Sequence, residues 1–142
     1  MNVRIWGLFV IVLMAPLFGA CQTNSKDQIL ATDKSQVALR AVQTRVFETS
    51  DSNKTVRTVI ATLQDLGFVV DKADEKLGTV SATKLDGFAM RMTVTVRSRG
   101  AKVMAVRASA QYDLVAVSDA KPYQQFFNAM EQAMFLKANK VH

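Results

Sequence analysis

The sequence contains one cysteine, one histidine, two prolines and no glycine-rich stretch, and these shortages narrow the chemistry available to it. The single histidine, His142, leaves a Ser-His-Asp relay or a histidine-based metal site without its central residue. The single cysteine, Cys21, has no disulfide partner within the chain. Gly78, Gly87 and Gly100 stand alone at turn positions and form no phosphate-binding loop. We therefore predict a protein that is not an enzyme and that holds no metal and no cofactor.

The chain also lacks an apolar run long enough for a permanent membrane span. Residues 5–20 carry no charge and follow the basic Arg4, but they fall short of the roughly 20 apolar residues that a spanning helix needs. A basic residue followed by a short apolar run with small residues at its end is typical of an export signal. Residues 1–20 are therefore predicted to be a signal peptide that is removed before Cys21.

The residues before Cys21 resemble the lipobox of bacterial lipoproteins. Gly19 and Ala20 supply the small residues that precede the cut, and the thiol that follows accepts diacylglycerol, although Phe18 departs from the usual Leu or Val. An ordinary secretory signal and an uncleaved membrane helix are the alternatives. Because the only cysteine directly follows Gly-Ala, we favour lipidation of Cys21, which makes membrane attachment effectively permanent.

The resemblance to lipoproteins also implies a location. Gln22 follows the cysteine where many inner-membrane lipoproteins carry Asp, which implies the outer membrane, facing the periplasm. An exported, anchored protein does not meet nucleic acid, so we interpret the formal net charge of +6 as attraction to anionic lipid headgroups or to acidic envelope proteins. Residues 21–36 are predicted to be a flexible tether and residues 37–142 a single domain.

The remaining sequence predicts an α+β domain. Residues 37–47 are rich in β-branched side chains and predict a strand, and a helix follows, with an apolar stripe that ends at Gly67. One short strand is predicted on each side of Gly78. Two longer strands are predicted over residues 88–98 and 102–112, and a C-terminal helix with an aromatic stripe follows them. If the two pieces that flank Gly78 pair as a hairpin and one of them is short, the order is most simply β-α-β-β-β-α. We expect two helices to pack on one face of an antiparallel sheet of about four strands.

Two short segments carry a family resemblance. Residues 63–68 (LQDLGF) and residues 77–80 (LGTV) are similar to the pattern of small bacterial envelope lipoproteins with a helix-grip domain, of which the outer-membrane assembly lipoprotein BamC is an example. They also resemble uncharacterised proteobacterial lipoproteins, some of them associated with efflux pumps. The resemblance spans about residues 39–136 and implies a fold and an accessory role in an envelope complex, without implying BamC's own partners.

Two sets of side chains are candidate binding residues. The polar face of the predicted sheet presents Arg91, Thr93, Thr95, Arg97 and Arg107, which could bind a protein partner or an acidic glycan, although a plain solvated face is the favoured interpretation. On the other face lie Met90, Met92, Phe126 and Phe127, which could contact a small apolar ligand but are more typical of a core.

Three functions follow, in order of preference. The first is a non-enzymatic accessory or scaffold subunit of an envelope complex, bound to the membrane by its lipid and to another envelope protein. The second is a binding module for a small apolar ligand or lipid. The third is a periplasmic hydrolase that uses Asp71, Asp74 and Glu75, which we rank last because charged residues at a turn are ordinarily solvated.

Overall fold

The computed structural model describes residues 35–139, with side chains through Phe135. The predicted signal peptide, the lipidation site Cys21 and nearly all of the predicted tether therefore lie outside the described residues. Within them the fold is α+β, with an antiparallel sheet covered by helices on one face. This agrees with the predicted class.

The described part of the chain holds three helices and six strands. In chain order they are α1 (residues 35–42), β1 (Thr44–Phe47), α2 (Ser52–Asp65), β2 (Val69–Asp74), β3 (Thr79–Asp86), β4 (Phe88–Ser98), β5 (Met104–Tyr112), β6 (Val115–Ala116) and α3 (Lys121–Asn139). The sheet order is β1-β5-β4-β3-β2, and β6 pairs with the end of β5 that β1 leaves free. Because α2 connects β1 to β2, it crosses the sheet from one edge to the other.

The prediction of one strand over residues 37–47 was wrong. Residues 35–42 form α1, and only Thr44–Phe47 is extended. Leu39 and Val42 lie three positions apart and both pack against the core, which a helix achieves and a strand does not. The sheet is also larger than the predicted four strands, because the segments on both sides of Gly78 form full strands and the short β6 pairs with β5.

The predicted first long helix is confirmed, with its ends where the sequence placed them. The Asp51 carboxylate accepts the backbone N–H of Lys54 at 2.8 Å and caps the N-terminus. Gly67 ends the helix with φ +83, and its N–H donates to the Gln64 carbonyl at 2.9 Å. The apolar stripe of α2 is buried against the sheet and α3, as predicted from its spacing.

The core lies between the inner face of the sheet and the two long helices. Alternate residues of β4 and β5 point inward and are buried, which confirms the alternation read from the sequence. The largest fully buried side chains come from α3 and α2 and include Tyr123, Phe126, Phe127 and Leu63. At the β1 edge, Arg45 pairs with Glu131 of α3 and lies 5.6 Å from the centroid of the Phe127 ring, which fastens β1 to the helix.

Tyr123 completes the β5 edge between β1 and β6. Its side chain is fully buried, and its hydroxyl donates to the Val117 carbonyl at 2.7 Å. The same oxygen accepts the N–H of Ala110 and the side-chain amide of Gln43, each at 3.2 Å. One phenol therefore satisfies polar groups that a continuous strand would otherwise pair.

Candidate functional site

The outer face of the sheet, opposite α2 and α3, is the candidate site. Its residues lie in cross-strand rows: Ser81, Thr93 and Ser109 form one row, and Thr79, Thr95 and Arg107 form the next. The Ser81 and Thr93 hydroxyls are 3.3 Å apart, and the Ser109 hydroxyl donates to the Thr93 carbonyl at 3.4 Å. The face is therefore a plate of hydroxyl groups rather than a patch of apolar side chains.

Three arginines stand on this plate, and all three are exposed: Arg91, Arg97 and Arg107. Arg97 pairs with Ala105, two residues before Arg107, so the two arginines are diagonal neighbours with Cα atoms about 7–8 Å apart. Arg91 lies on the same strand as Arg97, about 20 Å away. The sheet therefore places the five candidate residues Arg91, Thr93, Thr95, Arg97 and Arg107 on one surface, which we call the arginine plate.

Carboxylates do not neutralise the arginine plate. Among the described residues the one ion pair is that of Arg45 with Glu131, which lies on the α3 side of β1. Arg97 donates to the backbone carbonyls of Leu77 and Val96, which fixes its guanidinium without cancelling its charge. On β2, the Asp71 carboxylate accepts the Thr83 hydroxyl at 2.6 Å.

This arrangement fits an anionic ligand. A guanidinium offers a planar fork of N–H donors that matches a carboxylate or phosphate, and neighbouring hydroxyls can donate to the remaining oxygens. Arg97 is already oriented by two backbone carbonyls, whereas Arg91 and Arg107 have no hydrogen-bond or ion-pair partner among the side chains that the structure describes. The plate can therefore bind an acidic surface.

The sheet edge is a poorer docking site than its face. β2 forms one edge, and its register shifts between Val70 and Lys72, which marks a β-bulge. Charged residues fill much of the strand, including Asp71, Lys72 and Asp74. A bulge and charged side chains both oppose the addition of a further strand.

The candidate apolar ligand contacts divide into two groups. Met92, Phe126 and Phe127 are buried in the core, and the two phenyl rings pack edge to face with centroids 5.1 Å apart. Met90 is half-buried and lines an open groove together with Phe88 and Tyr112. The structure therefore brings three of the four together as packing residues and leaves Met90 near the end of the sheet.

Two of the three carboxylates of the proposed hydrolase, Asp71 and Asp74, have structural partners. Asp74 accepts the N–H of Leu77 at 2.9 Å in the β2–β3 turn, and Asp71 accepts the Thr83 hydroxyl. Among residues 35–139 no group of three or more histidine, cysteine or carboxylate side chains is placed to hold a metal ion. These acidic residues therefore stabilise a turn and a strand pair.

A second surface was not predicted from the sequence. Leu85, Phe88, Leu114 and Val115 are exposed large apolar residues at two turns. Gly87 predicts a turn there, but no pattern in the sequence predicts an apolar surface at either turn. The signal that could have found them is the presence of Leu and Phe on both sides of Asp86-Gly87, where polar residues are the usual choice.

No protein-family model matches the chain, and no curated protein does either. Within the described residues, none of the helices is both long enough and apolar enough to cross a membrane.

Proposed function

We propose that the protein is a non-enzymatic lipoprotein of the bacterial envelope that acts as an accessory or scaffold subunit of an envelope complex, of the outer-membrane assembly or efflux type. Lipid on Cys21 holds it at the outer membrane, facing the periplasm. The observation that carries the binding part of the proposal is the arginine plate, which presents Arg91, Arg97 and Arg107 without carboxylate partners. The partner is an envelope protein with an acidic surface.

An acidic partner is expected because neighbouring arginines on the plate repel one another, which raises the free energy of the unbound protein. Like charges on neighbouring positions of a sheet repel one another and disfavour the folded state slightly. Arg97 and Arg107 are diagonal neighbours on adjacent strands. An acidic partner removes this repulsion and gains charge-assisted hydrogen bonds with the guanidinium groups and nearby hydroxyls.

The helices add support for the expected family shape. α2 and α3 pack together on one face of the sheet, which leaves the other face open. We propose on this basis that the domain is helix-grip-like, as the BamC resemblance implies. In such a domain the uncovered face is the surface available to a partner.

The alternative, a module for a small apolar ligand between the sheet and α3, receives less support. Such a module needs space beside Met92, Phe126 and Phe127, and all three are at most 1% exposed within a contiguous core cluster. We therefore do not propose the ligand-binding function, and the experiment below can still detect it as crosslinking to lipid.

Site-specific photocrosslinking in living cells tests the proposed function. A photoreactive residue at Ser109 lies exposed on the arginine plate, and the same residue at Arg57 lies exposed on α2 as the matched control. We expect a discrete envelope protein to be crosslinked from position 109 and not from position 57, and the crosslink to weaken when Arg91 and Arg107 are replaced by glutamine. Crosslinking to lipid alone, or equal capture at both positions, contradicts the proposal.

A further inference from the structure

One end of the sheet carries a cluster of exposed apolar side chains, which we call the apolar tip. Its members are Leu85 (82% exposed), Phe88 (78%), Tyr112 (43%), Leu114 (95%) and Val115 (72%). Large apolar side chains at this degree of exposure, gathered in one place, mark an interaction surface rather than random surface composition.

Strand register brings the five residues together. Met90 pairs with Tyr112, and Tyr112 pairs with Val115, so the β3–β4 and β5–β6 turns lie at the same end of the sheet. Phe88 belongs to the β3–β4 hairpin, which extends beyond the Met90–Tyr112 pair. The apolar tip is therefore made of two turns that project from the sheet, a form suited to insertion into a soft apolar phase.

The first described helix, α1, lies beside β6. α1 lines an open groove of about 510 Å³ together with Ala116, the neighbour of Val115 in β6. Residues 22–34 separate α1 from Cys21 and can extend to at most about 45 Å. A lipid on Cys21 would therefore hold α1, and the β6 residues beside it, within about 45 Å of the bilayer surface.

The charged residues near the apolar tip indicate which kind of surface the tip can bind. Lys84 and Lys121 stand near it, but so do Asp86 and Asp119, all four lining one groove with Phe88. The charges are mixed, so the tip has no strong attraction for headgroups of one sign. Its affinity must come from the burial of apolar surface, which a bilayer interface of any headgroup charge provides.

We propose that the apolar tip inserts into the interfacial region of the bilayer that holds the acyl chains of Cys21. This inference rests on the proposed lipid anchor and adds an orientation to it. In this orientation the strands run outward from the membrane surface. The β3–β4 and β5–β6 turns lie in the interface, and the β4–β5 turn lies at the end of the sheet far from the membrane. The arginine plate then faces sideways, where a partner in the same membrane can reach it.

Tryptophan fluorescence in vesicles tests this orientation. Trp6, the only tryptophan in the sequence, lies in the proposed signal peptide that is removed before Cys21, so Phe88→Trp gives the acylated protein a single emitter at the tip. Leu77→Trp is the matched control, because Leu77 is 61% exposed in the β2–β3 turn at the opposite end of the sheet. The acylated protein, produced with its own leader, is reconstituted into phosphatidylcholine vesicles with and without bromine on the acyl chains.

The expected result is a loss of emission from position 88 in brominated vesicles, together with a blue shift, at a depth of about 5–10 Å. Position 77 keeps its emission. If the chain remains on the vesicles and position 88 is not quenched, the tip faces water, a second copy or a protein, and the inference fails while the anchor stands. Equal quenching at both positions also overturns it. Mass spectrometry of the same sample reports the anchor separately, since a free thiol on Cys21 refutes the proposed lipidation whatever the quenching shows.

Discussion

The Tyr123 hydroxyl accepts the backbone N–H of Ala110 at 3.2 Å, where β5 has no neighbouring strand on that side. A helix side chain thus completes a sheet edge from within the core. The contact couples α3 to the gap between β1 and β6. Several tests of the fold and of the proposed surfaces follow from contacts of this kind.

Tyr123→Phe should destabilise the domain by about 2–4 kcal/mol. The ring still fills the core, but the buried N–H of Ala110 and the carbonyl of Val117 lose their partner, and each unsatisfied buried group costs about 1–3 kcal/mol. Chemical denaturation followed by circular dichroism measures the free energy of unfolding. Tyr112→Phe is the matched control, and because Tyr112 is exposed it should change stability little.

Gly78→Ala should be far more damaging than Gly87→Ala. A Cβ at position 78 would lie 2.5 Å from the Val96 carbonyl oxygen, whereas a Cβ at position 87 would meet nothing within 4 Å. Both glycines have positive φ, so both variants share the backbone strain of about 1–2 kcal/mol. The difference in melting temperature between the two isolates the steric contact, and equal losses would contradict the close approach of the β2–β3 turn to β4.

Thr62→Val should raise stability by about 1 kcal/mol. The Thr62 hydroxyl on α2 is buried, and no hydrogen-bond partner satisfies it, so an apolar residue of the same shape removes a desolvation cost. Thr58→Val changes the same atoms at a position where the hydroxyl donates to the Lys54 carbonyl at 2.9 Å. The comparison of the two free energies of unfolding is the test, and Thr62→Val should be the more stable variant.

Much of this fold can be predicted from the sequence because helix caps and the alternation of apolar and polar residues are local patterns. α2 has both its capping carboxylate and its terminal glycine, and β4 alternates cleanly between buried and exposed side chains. α1 was mistaken for a strand because its β-branched residues outweighed a helical period carried by only two packed side chains, Leu39 and Val42. The apolar tip was missed for a different reason: the two turns meet only through strand register, which no local pattern encodes.

The candidate site could be predicted in part. Alternation in β4 assigned Arg91 and Arg97 to one face, and the antiparallel pairing of β5 adds Arg107 beside them. The absence of carboxylates opposite these arginines depends on the whole sheet order and could not be anticipated from any one strand.

The arginine plate should lose its partner when its unconstrained charges are removed. Arg91→Gln with Arg107→Gln should weaken binding to the captured partner by at least about tenfold, because charge-assisted hydrogen bonds contribute about 1.5–3 kcal/mol each when desolvated. Arg40→Gln with Arg57→Gln removes the same charge from exposed helix positions and should leave binding intact. Titration at low and high salt is the measurement, and an equal loss in both double variants would show that net charge alone matters.

The central claim is that lipid on Cys21 holds this domain at the outer membrane. Mass spectrometry of the full chain recovered from fractionated bacterial envelopes tests it most directly. We expect a protein that begins at Cys21, carries acyl chains on that residue and is found in the outer-membrane fraction. An unmodified Cys21 on a protein recovered from the cytosol would contradict it.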